Sequence, residues 1–356
     1  MSPLISIIIP AYNCGTSIRE TLESILSQQM KNYELLIIND GSTDNTEEIL
    51  SEYEAEDHRI RVKTIENVGP ANARNVGISL AQGDYIMFVD SDDTLQPNTL
   101  DVIEKILCEQ SLDLIIFGFY IRNTIENQVF KYSAPECFLS DEQAIIAAFP
   151  TLYFDNLLNQ IWNKVYRADL IRSKNIVFLD YRYGEDRLFV LDVLRQCRKV
   201  QVLEKCYYNY FMRAKQSLVT AFYDKKALVC NLIDRKVKQL ITPFEIIKPE
   251  DLKQIRYMYV KSMLSCITNL FSPSCPYTKK EKNEALRELL SSSYLQEELT
   301  KYQRCHFITD ITAFVMKTRW VWLNRWMAKF ILYMSRRHPS VFIKSKHPGA
   351  KNIQVA

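Results

Sequence analysis

Residues 83–93, Gly83-Asp84-Tyr85-Ile86-Met87-Phe88-Val89-Asp90-Ser91-Asp92-Asp93, decide how the rest of the chain is read. A short apolar run from Tyr85 to Val89 ends in three carboxylates within four residues. Uninterrupted apolar runs bounded by turn signals mark strands buried on both faces, as in parallel sheets. Like charges crowded at a strand end repel unless a cation neutralises them, and hard carboxylate oxygens suit Mg²⁺ or Mn²⁺. Taken alone, the triplet reads equally well as a solvated turn before a helix that Pro97 opens at its first position.

Outward from this stretch the same alternation recurs. Strands are expected at Leu4 to Ile9, Tyr33 to Asn39, Ile60 to Ile65 and Leu112 to Ile121, with helices between them. The helices are expected from Thr16 to Met30, from Asp44 with Glu47 in a capping-box spacing, from Pro70 to Ala81, and from Pro97. Three β-α units in succession predict an α/β fold with a mostly parallel, nucleotide-binding half-sheet whose ligands lie at the carboxyl ends of the strands. The loops after Ile9, Ile38 and Val89 therefore carry the chemistry. The first is Pro10-Ala11-Tyr12-Asn13 and the second Asn39-Asp40-Gly41-Ser42-Thr43-Asp44. Tyr12 could stack on a base while Asp40 accepts the imide N–H of a uracil or thymine. The plainer reading of the second loop is an Asx turn with a glycine at positive φ. No GxGxxG follows the first strand, which disfavours a dinucleotide-dependent dehydrogenase, and the first loop is not the glycine- and basic-rich loop of a nucleotidyltransferase.

The chain has 356 residues, 47% of them hydrophobic and 24% charged, a balance that excludes a disordered chain. Nine scattered cysteines with no CxxC pair argue against a disulfide framework or zinc cluster and for reduced thiols in the cytosol. Met1-Ser2-Pro3 leads into an apolar run with no basic n-region, so no secretion signal is expected. Gly184-Glu185-Asp186-Arg187 opens a helix expected to run through Cys197. The helix dipole favours acids there in any case, while the functional reading makes one of them a general base. Beyond 221 helices are expected at 222–241, 249–271 and 279–303. The expected division is 1–220, 221–310 and a basic tail, 311–356.

The ordered motifs together identify a resemblance. Six segments, from Ser6 to Asn13, Ile38 to Asp44, Gly69 to Gly77, Gly83 to Asp93, Asn163 to Tyr166 and Gly184 to Asp186, follow one another as in glycosyltransferase family 2. That resemblance covers residues 3–220 and implies a GT-A fold, with an all-helical region after it, and an inverting transferase. It implies that Pro10, Ala11, Tyr12 and Asp40 hold the nucleobase of a UDP-sugar and that Arg74 lies beside the nucleoside. Asp90, Ser91 and Asp92 match the DxD element, with Asp90 towards the ribose and Asp92 towards a Mn²⁺ or Mg²⁺ ion on the diphosphate. Asp186, with Glu185 before it, matches the acid pair whose second member is the base. Arg213 and Ser217 resemble an element that closes over the diphosphate, although Phe211 stands where many relatives carry an arginine. The acceptor is then a glycan or a lipid-linked glycan. The rival from another class is a non-catalytic nucleotide-sugar-binding partner of another transferase, for which Asp186 has no use.

After Asp310 come nine cations and no anion, against 36 cations and 42 anions in the first 310 residues. Met316, Trp320, Leu323, Met327, Phe330, Ile331 and Met334 fall on one helical stripe with Lys317, Arg325, Lys329 and Arg336 opposite. A basic helix with such a stripe fits an anchor on the anionic inner face of the cytoplasmic membrane. Ordinary packing of the stripe into a core is the competing expectation. A nucleic-acid partner is not expected, because the apolar stripe has no role in it.

Overall fold

A computed structural model of the chain describes residues 3–213, 221–305, 307–337 and 351–353. They fall into two compact units, one of Met1–Asp180, Glu185–Ala214 and Gly349–Ala356, the other of Tyr181–Gly184 and Lys215–Pro348.

The first unit opens with the expected alternation: β1 (Ile5–Ala11), α1 (Ile18–Leu26), β2 (Tyr33–Asp40), α2 (Thr46–Glu56), β3 (Ile60–Ile65), α3 (Pro70–Leu80) and β4 (Tyr85–Phe88). It continues through β5 (Thr94–Leu95), α4 (Thr99–Glu109), β6 (Leu114–Asn123), β7 (Gln128–Tyr132), β8 (Cys137–Leu139) and α5 (Glu142–Phe154). β9 (Lys164–Arg167), α6 (Ala168–Ser173), α7 (Glu185–Leu194) and β10 (Val200–Met212) complete its main chain. β1 pairs in parallel with both β2 and β4, and β2 with β3. β9 is slotted antiparallel between β4 and β6. β10 runs parallel to β6 with two register shifts and meets β5 antiparallel.

Every residue of β2 is buried, and β1 is buried apart from Pro10, as strands covered by helices on both faces must be. Gly77 lets α3 close onto β1, because a Cβ there would lie 2.4 Å from Ile8 Cγ2.

Several local expectations fail for physical reasons. Asp44 does not form a capping box with Glu47: its Oδ2 accepts the Gly15 N–H and its Oδ1 the Thr46 N–H, so α2 starts at Thr46. Pro97 is not the first residue of a helix, because Asn98 turns the chain through φ +62° and α4 starts at Thr99. The helix from 185 ends at Leu194, short of Cys197.

The second unit is helical: α8 (Lys226–Ile241), α9 (Pro249–Leu270), α10 (Lys279–Ser291), α11 (Ser293–Lys301), α12 (Phe307–Lys317) and α13 (Val321–Arg337). The single helix expected over 279–303 is two, divided at Ser292, whose side chain caps α11 by accepting the Leu295 N–H. Asp310 lies inside α12, and Ala313, Met316 and Ala328 share one apolar core with Tyr259, Met263, Leu290 and Leu299. The helices at 307–317 and 321–337 are thus not set apart from those before them. The single stripe is also broken, since Arg319 at φ +56° separates α12 from α13 and rephases the wheel. Met316 and Met327 go inward, while Trp320 and Phe330 are exposed. A short strand, β11 (Lys351–Ile353), pairs with β7 in the first unit.

Candidate active site

The register places Ala11 beside Asn39 and Ile8 beside Phe88, so the loops after β1, β2 and β4 leave the sheet at one edge. The first two are tied into one piece. Asn13, at φ +47°, donates its N–H to Ser42 Oγ at 3.1 Å and accepts the Thr43 N–H at 2.8 Å. This leaves the Tyr12 ring half exposed beside the strand end. Asp40, almost fully buried, accepts the N–H groups of Val68 and Gly69 at 2.8 and 2.9 Å. It therefore holds the entry to α3, where the helix dipole favours a carboxylate, and keeps lone pairs for a further donor. Gly41 makes the turn between them at φ +69°, and a Cβ there would lie 3.0 Å from the Asn67 nitrogen.

Arg74 joins what the sequence presents as separate motifs. It projects from α3, is 5% exposed, and forks to Asp186 Oδ1 at 3.0 Å and Asp90 Oδ1 at 3.1 Å, with Glu185 Oε1 at 3.8 Å. Its guanidinium carbon lies 5.5 Å from the Phe178 ring centre, and its Nε is buried with no partner. Burial alone would lower the guanidinium pKa, but Asp186 and Asp90 outweigh it and raise it. Burial pushes both acids at the start of α7 upward. Glu185 reaches about 7, helped by the Asp186 charge and opposed by Arg74, and Asp186 rises although Arg74 opposes it.

The carboxylates of the 90–93 loop do not converge. Asp93 is fully buried, accepts the Tyr208 hydroxyl at 2.9 Å and the Phe211 N–H at 2.9 Å, and burial raises its pKa well above the usual range. The same hydroxyl accepts the Asp90 N–H at 3.0 Å, so Tyr208 clamps the loop from beneath. Asp90 and Asp92 remain on the outer side, and the Ser91 carbonyl is held by Ser17 Oγ at 3.1 Å. The Arg213 guanidinium donates to the Asp92 carbonyl, pairs with Glu20 at 3.2 Å and lies 4.9 Å from the Phe211 ring centre. Phe211 thus shelves the arginine that remains. Ser217 lies outside the described residues.

Lys164 is fully buried, and burial pulls its pKa down. Yet its Nζ faces three acceptors, the carbonyls of Leu157 and Gln160 and Asn163 Oδ1, at 2.5 to 2.6 Å. Three acceptors and no donor suit an ammonium with three protons, so the geometry supports the charged form.

Among the described residues no group of three or more His, Cys, Asp and Glu side chains stands ready to hold a metal. Asp90 and Asp92 suit a different arrangement. Mg²⁺-like ions are commonly held by one or two carboxylates, with substrate phosphates and water completing the shell. The donor set fits such an ion.

Sequence reasoning found the strand-end loops but missed Tyr208, Asp93's inward turn and the Arg74 fork. Only the aromatic run at 207–211 hinted at the first.

A family model, glycosyl transferase family 2, matches residues 6–175. Glycosyltransferase GlyA of Streptococcus pneumoniae is 31% identical over 226 residues, 62% of this chain and 32% of its own length. An uncharacterised glycosyltransferase of Bacillus subtilis, EpsJ, is 31% identical over 211 residues, 59% of this chain and 61% of its own. TarS of Staphylococcus aureus, a poly(ribitol-phosphate) beta-N-acetylglucosaminyltransferase, is 28% identical over 225 residues, 61% of this chain and 37% of its own. The crystal structure of TarS residues 1–349 with UDP-GlcNAc aligns over 94% of this chain and 92% of that one, with a TM-score of 0.65 at 22% identity. The shared GT-A fold follows. The chain spans between about a third and three fifths of the length of these curated relatives.

Proposed function

We propose that this chain, whose residues 6–175 form a glycosyl transferase family 2 domain, transfers a sugar from a UDP-sugar to an acceptor hydroxyl with inversion. The observation that carries the reading is the Arg74 fork, which joins the Asp90 side of one loop to the Asp186 side of another. A donor-binding carboxylate and a base for the acceptor must flank one reacting carbon, and a shared guanidinium fixes their spacing. Tyr12 and Asp40 receive the uracil. Asp90 and Asp92 would hold a divalent ion, which when bound supplies positive charge to the leaving diphosphate. Asp186 takes the proton of the incoming hydroxyl, and the upward shift that burial gives its carboxyl strengthens it as a proton acceptor. Arg74 keeps its carboxylate oriented, and Arg213 holds the loop that carries Asp92.

If Asp90 and Asp92 share an ion with the donor, UDP should stabilise the protein more in Mn²⁺ than in EDTA. A ligand at a hundredfold excess over its Kd contributes about 2.7 kcal/mol. Thermal unfolding with UDP reads this directly, and equal shifts in the two buffers refute the metal assignment.

The acceptor is read as a surface glycan or a lipid-linked glycan, in keeping with the poly(ribitol-phosphate) acceptor that the relative TarS is named for. Attachment to the inner face of the membrane is the companion reading. Among the described residues no helix is long and apolar enough to cross a membrane. On α13, however, Trp322, Trp326, Phe330 and Tyr333 are all half exposed or more, with Trp326 stacked on Phe330 at 5.6 Å. Exposed aromatics beside Arg325, Lys329 and Arg337 make the surface of an interfacial helix. Replacing Trp322 and Trp326 by serine should then sharply reduce cosedimentation with phosphatidylglycerol vesicles and leave UDP binding unchanged. A parent protein that ignores such vesicles at low salt ends this reading.

A further inference from the structure

The helical unit contains a cleft of about 370 Å³ between the start of α10 and one side of α13, within the range of small-ligand sites. Lys279 and Lys282 line it from α10, and Arg325 and Lys329 from α13. None of the four forms an ion pair with a described residue, although other cations of this unit do: Lys238 is paired with Asp234 and Glu298, and Arg256 with Glu298. Four unpaired cations around one hollow repel each other, and Lys279 also lies in the first turn of a helix, the end where the dipole disfavours positive charge. The fold gains nothing from that arrangement until an anion enters.

Two further features narrow the ligand. Phe271 and Tyr277 form part of the wall, so one side of the cleft is aromatic. Asn283, also in the lining, has an amide oxygen that is buried without a partner. A bare inorganic anion would use the cations and leave the rings idle. A phosphate carried on a polyol or sugar uses both, its charge on the lysines and arginine and its carbon framework against the rings.

We propose that this cleft binds a phosphodiester-bearing polyol or glycan. Its role as a docking point for an anionic acceptor rests on the transferase reading, whereas binding itself does not.

The test uses the full chain and a soluble phosphodiester, glycerophosphoglycerol, followed by calorimetry with and without saturating UDP. Saturable binding that UDP leaves unchanged is expected, with inorganic phosphate competing weakly. Replacing Lys279 and Lys282 by glutamate should weaken binding by about tenfold or more, equivalent to about 1.4 kcal/mol. Both side chains reach solvent, and the helix dipole favours acids in that first turn. The same variant should retain its affinity for phosphatidylglycerol vesicles. No saturable binding of the soluble phosphodiester, or binding that the double variant leaves intact, overturns the proposal. Binding to vesicles alone also overturns it, and assigns these cations to the membrane surface. Loss of UDP binding with phosphodiester binding intact would instead count against the donor reading.

Discussion

Asp186→Asn is expected to bind UDP-sugar as the parent does and to lose about 10²- to 10⁴-fold in transfer rate, the usual contribution of a positioned base. Asparagine keeps the shape and can still accept from Arg74 Nη1, now 3.0 Å from Asp186 Oδ1, but it cannot take a proton. The loss should therefore fall on kcat, with the donor KM little changed. Glu185→Gln tests the assignment within the pair, since Glu185 is the more distant partner at 3.8 Å. A parental rate in Asp186→Asn, measured by UDP release with an active acceptor, would make Asp186 a helix-start carboxylate and nothing more.

Arg74→Met should cost stability as well as turnover. It removes the one guanidinium shared by Asp90, Asp186 and Glu185, whose side chains are only 26%, 23% and 15% exposed. Removing one partner of a buried ion pair leaves uncompensated charge and typically costs about 3–5 kcal/mol. Partial solvent access at the acids places the expected loss near the lower end, about 3 kcal/mol, read as a shift in urea midpoint at unchanged slope. Arg74→Lys restores charge without the fork, so it should recover part of the stability and little of the transfer. Parental stability in the methionine variant would mean that the three acids are neutralised by something other than Arg74.

How much of this the sequence discloses depends on the range over which each feature acts. β3 is found where Ile60 to Ile65 predicts it, and β2 differs only by including Asp40, because apolar residues alternating with polar ones in β3 and an apolar run in β2 are both local signals. The strand-end loops follow from the same signal. By contrast, Asp92 and Asp93 are chemically identical neighbours. One is exposed and the other buried because Tyr208 and the Phe211 N–H come from a strand more than a hundred residues away. The Arg74 fork spans 112 residues to Asp186 and leaves no trace in spacing. The tail stripe misleads for a local reason: a wheel assumes unbroken helix, and a single left-handed residue at Arg319 turns every later position to a new direction.

The insertion of β9 between β4 and β6 also bears on synthesis at the ribosome. β4 and β6 are complete by residue 123, yet the strand that bridges them begins only at Lys164. Until that segment has emerged, a nascent chain carries two apolar strands with open flanks, the kind of edge that recruits other chains. The central sheet can close only through a long-range pairing, which folds more slowly than local hairpins. Closure of the gap between β4 and β6 thus waits on four residues, Lys164 to Arg167, whose antiparallel ladder covers both facing edges at once, while the pairing of β6 with β10 waits for residues 200–212.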